Sequence, residues 1–246
     1  MPQIDLNCDM GEGFPYDEML MPYISSANIA CGLHAGDRKI MKRTIELASS
    51  FGVAAGAHPS FPDRKNFGRV DMELSPSEVY DLVVRQVELL CDIAISTRYR
   101  LSHVKPHGAL YNHAARDREM ANAIARAIHA VDNQLFLFGL SGSLLIQEAK
   151  SVGLTTLEEA FADRTYQEDG SLTSRSRKDA MITDPSRSAA QVLQMVLEGT
   201  VGTTTGKVIP IRADTICLHG DTESAPSFAR NLRKALDGNG IVIAHW

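Results

Sequence analysis

Short apolar runs in this chain repeatedly end in glycine-rich segments that carry histidine, aspartate or asparagine. Segments 5–12 (DLNCDMGE), 28–37 (NIACGLHAGD) and 217–221 (CLHGD) are the clearest, and segments 56–59 (GAHP) and 104–108 (VKPHG) follow the same plan. Strands that each deliver a polar side chain into a loop at one common end are how a β/α barrel forms an active site. The recurrence therefore predicts an enzyme.

Strand-like runs alternate with helical periodicity along the whole sequence. Strands are predicted at 3–7, 26–30, 53–57, 101–105, 135–140, 155–160, 215–218 and 241–244. Helices are predicted at 37–51, 75–96, 116–131, 141–152, 185–197 and 225–236. Such alternation implies a mainly parallel sheet with helices outside it. We expect an α/β fold in which residues 1–246 form a single TIM-like (β/α) barrel domain with seven or eight mainly parallel strands.

Charge and composition exclude several classes of function. The chain carries 25 basic and 30 acidic residues, a net charge of −5, so it has no electrostatic footprint for nucleic acid or an anionic membrane. The first residues lack the pattern of a signal peptide, and no apolar run is long enough to span a bilayer. The cysteines at 8, 31, 91 and 217 show no paired spacing and are expected to be reduced. These features predict a cytoplasmic protein.

The first polar segment combines a strand with an acidic loop. Asp5 and Asn7 are two residues apart and share one face of the predicted strand, which faces into the barrel if the pattern holds. Asp9 and Glu12 follow at the end of the strand, where either carboxylate can act as a general base. The competing interpretation is that Asp9 only caps a turn.

Segments 28–37 and 56–69 supply two further histidines. Gly32 and Gly36 bracket His34, and Asp37 is placed either to orient that ring by hydrogen bonding or to cap the following helix. His58 begins a long loop that carries two arginines. Arg64 and Arg69 suggest an anionic ligand, because guanidinium binds carboxylate or phosphate in a bidentate fork. The alternatives are a structural histidine and a solvated loop.

His103, Lys105 and His107 are spaced for one face of a strand. Their H-x-x-x-H spacing resembles a helical metal motif, but Pro106 rules out a regular helix here. Lys105 and His107 lie at the carboxyl end of this strand and are the better candidates for the site. A buried lysine acts either as a cation or, with a depressed pKa, as a base.

The carboxyl-terminal half contributes a polar cluster and a last His–Asp pair. Glu159, Asp163 and Arg164 follow one strand, and Arg175 lies further along the same long segment, 163–183. His219 and Asp221 follow another strand and could form an acid–base pair or share a metal. Loops as long as 59–74 and 163–183 are uncommon unless they are functional or disordered.

Common nucleotide and hydrolase motifs are missing from the sequence. Segment 202–207 (GTTTGK) resembles a phosphate loop, but its glycines are one residue too close and Val208 replaces the required hydroxyl residue. There is no G-x-S-x-G elbow of an α/β-hydrolase. Residues 141–143 (SGS) open a helix and can either hold an anion or cap the helix.

These segments in this order resemble the LamB/YcsF family over nearly the whole chain. The blocks that carry the resemblance are 5–12, 28–37, 56–63, 67–69, 104–111, 159–164 and 218–221. The resemblance implies a barrel of the kind found in glycoside hydrolases and polysaccharide deacetylases. It also implies the A subunit of bacterial ATP-dependent 5-oxoprolinase, an enzyme that opens 5-oxo-L-proline to L-glutamate and in which subunits B and C are the partners.

Roles for individual residues follow as hypotheses from this reaction. The predicted catalytic set is Asp9, Glu12, His34, Asp37, His58, Lys105, His107, His219 and Asp221. The predicted substrate-binding set is Asn7, Asn28, Arg64, Arg69, Glu159, Arg164 and Arg175. Asp9 or Glu12 would act as the base, and His34, His58 and Lys105 would stabilise the developing oxyanion or phosphate. His107, His219 and Asp221 would orient these groups. Arg64, Arg69 or Arg164 would bind the substrate carboxylate.

The cofactors remain open at this stage. The reaction needs ATP, which either this chain or a partner subunit binds, and the presence and identity of a divalent metal are undetermined. One alternative is a metal-dependent deacetylase or other cyclic amide hydrolase that acts alone. Another is a non-catalytic lactam- or carbohydrate-binding subunit, for which the aromatic content of 6% is low.

Overall fold

The computed structural model describes residues 2–246. Its strands are β1 (Gln3–Met10), β2 (Ser26–Ala30), β3 (Ala54–His58), β4 (His103–Val104), β5 (Phe136–Leu140), β6 (Thr156–Phe161), β7 (Thr200–Gly202), β8 (Val208–Pro210), β9 (Thr215–Leu218) and β10 (Val242–Ile243). Strands β1 to β6 and β9 run parallel, and β9 pairs with both β6 and β1, which closes a seven-stranded barrel. Strand β10 pairs in parallel with the first residues of β1. The predicted TIM-like barrel is confirmed.

The helices surround this barrel. They are α1 (Asp17–Leu20), α2 (Arg38–Phe51), α3 (Pro76–Ser96), α4 (Gly108–Ala114), α5 (Arg118–Val131), α6 (Leu144–Ser151), α7 (Pro185–Glu198) and α8 (Ala225–Gly238). Helix α3 begins with the capping box expected from the sequence, because Ser75 and Glu78 bond each other's backbone amides. Within residues 2–246, every helix is too short or too polar to span a membrane.

Strand β1 explains how the barrel divides apolar from polar side chains. Its sequence alternates, so Ile4, Leu6, Cys8 and Met10 join the apolar core while the intervening polar residues point into the barrel. Barrels of this class usually fill their interior with branched apolar residues. Here the interior is a hydrogen-bonded polar network, built mainly from Asp5, Asn7, Ser26, Asn28, His103, Glu159 and Thr215.

The structure also contains elements that the sequence analysis did not predict. Helix α4 starts immediately after His107, and β7 and β8 form an antiparallel hairpin. Segment 202–207 is the turn of that hairpin, in which the Thr203 amide donates to the Lys207 carbonyl at 2.8 Å. The residues that resemble a phosphate loop therefore form a hairpin turn.

Candidate active site

A pocket of about 730 Å³ opens at the carboxyl ends of the barrel strands. Asp9 at the end of β1, His58 at the end of β3 and His219 after β9 all line it. The long loops 59–74 and 163–183 contribute Arg69 and Arg175 to its walls. Residues far apart in the sequence thus meet at one end of the barrel, as predicted.

Lys105 lies at the floor of this pocket, where its ammonium group is surrounded by acceptors. Its Nζ lies 2.9 Å from Asp9 Oδ1, 2.9 Å from Glu159 Oε1, 3.1 Å from Asn7 Oδ1 and 3.0 Å from Cys217 Sγ. Burial would lower the pKa of the ammonium, but its negatively charged neighbours, Asp9 first, hold that pKa well above its ordinary value. Of the two roles left open by the sequence, the geometry supports the cation and not the base.

Asp9 is bound on both of its oxygens. Oδ1 accepts from Asn28 Nδ2 at 2.8 Å and from Lys105, and Oδ2 lies 3.3 Å from His58 Nε2. Burial would raise the pKa of Asp9, but His58 and Lys105 hold it well below its ordinary value. A carboxylate so strongly held in its ionised form is a poor proton acceptor.

Glu12 has the opposite character. Its Oε1 is buried and bonds to none of the residues that the structure describes. Burial raises the pKa of Glu12 well above its ordinary value, and the Asp9 carboxylate adds to that shift. A carboxylate whose pKa is raised accepts a proton more readily than one whose pKa is lowered. Between the two candidate bases, the structure favours Glu12.

Three histidine rings pack together beside Glu12. His34 stacks on His107 with ring centroids 4.0 Å apart, and His58 Nε2 lies 2.9 Å from His107 Nδ1. His34 Nε2 is 3.5 Å from Glu12 Oε1, yet neither ring nitrogen of His34 is hydrogen-bonded to any residue in the described range. Burial lowers the pKa of His34 to about 3, so the ring is neutral.

The loop after β3 closes over these rings. Phe67 adopts φ +58°, a left-handed conformation that costs a non-glycine residue about 1–3 kcal/mol, and its carbonyl oxygen lies 2.9 Å from His107 Nε2. The next residue is Gly68, with φ +65°. A Cβ at this position would lie 3.0 Å from His34 Cβ and 3.1 Å from a carbon of the His107 ring. Glycine therefore lets the backbone pack directly on the histidines.

The rim of the pocket is made of one ion pair and of the two hydrogen bonds of His219. His219 Nδ1 lies 2.7 Å from Asp163 Oδ2, and its Nε2 lies 2.8 Å from an Arg175 nitrogen. Arg69 pairs with Asp221 at 3.0 Å. His219 and Asp221 are thus not an acid–base pair with each other, because each binds a partner from one of the two long loops.

Arg164 forms part of the pocket wall. One of its Nη atoms donates to the Thr173 carbonyl at 2.5 Å, whereas its Nε is buried and bonds to no residue within 2–246. Burial and the nearby Arg175 lower the pKa of Arg164 to about 10, so the guanidinium remains charged at neutral pH. A buried cation with a free donor at a pocket wall is suited to bind an anionic group.

The remaining predicted residues lie outside the pocket. Asn7, Asn28 and Glu159 are buried beneath the floor and position Lys105 and Asp9. Asp37 is exposed and caps α2 by accepting from the Ile40 amide at 2.9 Å, so it does not orient His34. Arg64 donates to the carbonyls of Gly32 and Gly36 at 2.6 Å, which uses its charge to hold a loop.

Two residues with clear roles were not among the predicted site residues: Tyr111 was not considered, and His103 was set aside in favour of Lys105 and His107. Tyr111 lines the pocket and donates to Glu159 Oε2 at 2.6 Å. His103 is buried beneath the floor, where its Nε2 bonds Asn28 Oδ1 at 2.8 Å. Both lie close to Lys105 in the sequence, so the residues around Lys105 could have been recognised as part of the site. Their hydrogen-bond partners are distant in the sequence, which is why their individual roles were not.

Glu12, His34, His58 and His107 are the residues to test as a set of metal ligands. Each of these side chains places one ligand atom within 4.8 Å of the others. Four ligands at about 2.0–2.1 Å from zinc lie about 3.3 Å from one another, but His58 Nε2 and His107 Nδ1 are 2.9 Å apart. The His34 and His107 rings are within 6° of parallel, so their in-plane lone pairs do not converge. This arrangement does not fit a resident metal ion.

The sequence is similar to those of known proteins over its whole length. A family model described as the LamB/YcsF family matches residues 4–246. A protein of Bordetella parapertussis that is named as the A subunit of 5-oxoprolinase is 53% identical over 247 residues, which cover 98% of each chain.

Solved structures give the same picture. The lactam utilization protein from Thermus thermophilus superposes with a TM-score of 0.94 at 43% identity, covering 99% of this chain and 100% of that one. The peptidoglycan deacetylase PdaC from Bacillus subtilis, as its D285S mutant, superposes with a TM-score of 0.50 at 13% identity, covering 99% of this chain and 87% of that one. The second likeness concerns the fold alone.

Proposed function

Because this chain belongs to the LamB/YcsF family, we propose that it is the A subunit of an ATP-dependent 5-oxoprolinase. In this reaction 5-oxo-L-proline is hydrolysed to L-glutamate, coupled to ATP hydrolysis, in a complex with subunits B and C. The names of the Bordetella and Thermus proteins support a role in lactam opening and membership of a multi-subunit enzyme.

The observation that carries the proposal is that the Glu12 carboxyl group and the buried Lys105 ammonium lie in the same pocket. Lys105 is fixed between Asp9 and Glu159, while Glu12 Oε1 is buried without a hydrogen bond to any residue described. The first arrangement supplies a fixed positive charge, and the second supplies a group able to accept a proton. Hydrolysis of an amide needs both, for the developing oxyanion and for the attacking water.

The substrate carboxylate has a matching site on the wall. 5-Oxoproline carries one carboxylate on its ring, and the buried guanidinium of Arg164 has a free Nε. Arg175 and Arg69 add positive charge to the same pocket. We assign Arg164 the role of carboxylate binding and leave Arg64 out of it, because Arg64 is committed to backbone carbonyls.

ATP is assigned the task of activating the lactam. Phosphorylation of the amide oxygen makes the ring carbon electrophilic, after which water attacks with Glu12 as the base. The pocket, at about 730 Å³, is larger than 5-oxoproline requires and has room for a phosphoryl group beside it. Whichever subunit holds the adenosine, the transferred phosphoryl group must reach this floor.

Reconstitution tests the proposed function. The protein is combined with its candidate partner subunits B and C, ATP and 5-oxoproline, and glutamate and ADP are measured. We expect glutamate only when all components are present, and a strong loss with Glu12→Gln but not with Glu18→Gln, which changes an exposed carboxylate on α1. If the complete assembly forms no glutamate, the proposal is overturned.

A further inference from the structure

His58 and His107 face each other through ring nitrogens at the floor of the pocket. His58 Nε2 and His107 Nδ1 are 2.9 Å apart, which is hydrogen-bond distance. Only 1% of His58 and 5% of His107 is exposed, so water does not compete for the contact. A bond at this position needs one hydrogen between the two nitrogens.

The other nitrogen of each ring has its hydrogen fixed by a carbonyl group. His58 Nδ1 lies 2.7 Å from the Lys105 oxygen, and His107 Nε2 lies 2.9 Å from the Phe67 oxygen. A carbonyl oxygen only accepts, so both of these nitrogens must carry hydrogen. If both rings were neutral, the two facing nitrogens would each present a lone pair. The 2.9 Å contact therefore requires a third hydrogen, and the pair carries one positive charge.

The charges around the pair favour this extra proton. Asp9 Oδ2 lies 3.3 Å from His58 Nε2, and below the floor Asp9 and Glu159 share only one cation, Lys105. One more positive charge balances these two buried carboxylates. Glu12 after β1 and His34 after β2 also face the pair, and Arg69 after β3 and His219 after β9 line the same pocket.

We propose that His58 and His107 share one additional proton and that this proton passes to the lactam nitrogen when the ring opens. The proposal rests on the proposed function and adds the general acid to it. When the ring C–N bond breaks, its electron pair stays on nitrogen, and the proton from the pair forms the new N–H bond. The attacking water forms the new C–O bond and gives its own proton to Glu12. The ring carbon keeps its phosphorylated oxygen, so ring opening leaves an acyl phosphate, and a second water breaks that bond to release L-glutamate and inorganic phosphate.

Glu12 returns a proton to the His58–His107 pair after each turnover. Its Oε1 lies 3.7 Å from His107 Nδ1, so the proton taken from water needs only a small shift to return to the pair. Burial and the neighbouring His58 and His34 rings hold the pKa of His107 well below its ordinary value. His107 then accepts the bond from His58 Nε2.

Nitrogen-15 NMR of histidine-labelled protein detects this proton directly, without any activity. The spectra are recorded at about pH 7.5, above the ordinary histidine pKa of about 6.5, and free histidine serves as the reference for a neutral ring. We expect one of the two rings, identified with His58→Gln and His107→Asn, to show both nitrogens protonated in the wild-type protein. Two neutral rings at this pH would overturn the proposal. So would a stoichiometric metal ion that survives dialysis and shifts both signals.

The pH dependence of the reconstituted complex tests the catalytic role. We expect kcat to fall on the alkaline side as the pair loses its proton. His107→Asn should lower kcat about 100-fold or more and remove that alkaline limb, because general acid catalysis typically contributes about 10²–10⁴-fold. His129→Asn, on the exposed side of α5, is the control and should behave as wild type.

The outcomes separate the two proposals. An assembly that forms no glutamate overturns the proposed function, while the NMR result still decides whether the proton is present. An assembly that forms glutamate, combined with a proton-free pair or with an unchanged alkaline limb in His107→Asn, overturns this inference alone.

Discussion

The ammonium of Lys105 lies 2.9 Å from Asp9 Oδ1, and the two form a buried ion pair at the centre of the pocket floor. The pair links the end of β1 to the segment after β4 and so holds these two parts of the barrel together at the base of the pocket. Both stability and chemistry should depend on it.

Lys105→Met should destabilise the fold by about 3–5 kcal/mol, because it leaves Asp9 and Glu159 buried without their cation. Urea unfolding at neutral pH measures the change. Lys42→Met removes only an exposed pair with Glu46 on α2 and should cost at most about 0.5 kcal/mol. Equal stabilities for the two variants would show that the buried carboxylates do not need Lys105.

The pH dependence of stability should report the buried neutral histidines. Burial lowers the pKa of both His34 and His103 to about 3, whereas an unfolded histidine titrates near about 6.5. Between these values the unfolded chain binds more protons than the folded one. The contribution of these two histidines to stability is therefore complete above about pH 6.5 and is lost on acidification, by about 1.4 kcal/mol per pH unit for each histidine.

His34→Phe isolates one of these contributions. The variant keeps a ring stacked on His107 and breaks no hydrogen bond recorded for His34 within residues 2–246. Unfolding free energies measured from about pH 6.5 down to about pH 4 should show a slope shallower by about 1.4 kcal/mol per pH unit. His129→Phe should leave the slope unchanged. A slope in His34→Phe equal to that of wild type would mean that His34 is protonated in the fold.

The sequence predicted the barrel and the end at which its site lies, because both depend on local patterns. Alternation along β1 separates the two faces of that strand, and the residues after each strand identify its functional end. Capping residues such as Ser75 fix where helices begin. These signals lie within a few residues of the structure that they specify.

Partners distant in the sequence decided the individual roles, and no local pattern contains them. Asp37 and Arg64 sit in polar, glycine-rich segments like those of true pocket residues, but the first caps a helix and the second binds two carbonyls. The contact of His219 with Asp163 spans 56 residues. Strands as short as β7 and β8 offer too little alternation to be recognised.

Gly56→Ala should disturb the site from below. A Cβ at position 56 would lie 2.3–2.5 Å from atoms of the His103 ring, which bonds Asn28 beneath Asp9. We expect a loss of about 1–3 kcal/mol from overpacking, with reduced activity, measured by urea unfolding and by glutamate formation. Gly202→Ala meets no atom within 4 Å and should be close to neutral. A fully stable and active Gly56→Ala would show that His103 moves without consequence.

Glu12→Gln should separate activity from stability. Burial raises the pKa of Glu12, which means that ionisation of this carboxyl group destabilises the folded protein. A neutral amide should therefore leave the free energy of unfolding equal or slightly higher. Glutamate formation by the assembled enzyme should fall about 10²–10⁴-fold, the usual contribution of a general base. Unfolding curves and initial rates are measured on the same preparation. Loss of both stability and activity would indicate a structural role for Glu12 instead.

Arg164→Met should weaken recognition of the substrate carboxylate more than the chemistry itself. The guanidinium donates to the Thr173 carbonyl, and its Nε is buried without a hydrogen bond to any residue within 2–246. Loss of a hydrogen bond to a charged group costs about 1.5–3 kcal/mol, so KM for 5-oxoproline should rise about 10- to 100-fold while kcat changes less. The preference for 5-oxoproline over 2-pyrrolidinone, which lacks the carboxylate, should shrink by a similar factor. Arg177→Met, which removes an exposed pair with Asp179, is the matched control. An Arg164→Met enzyme that keeps its full preference would move the carboxylate site to Arg69 or Arg175.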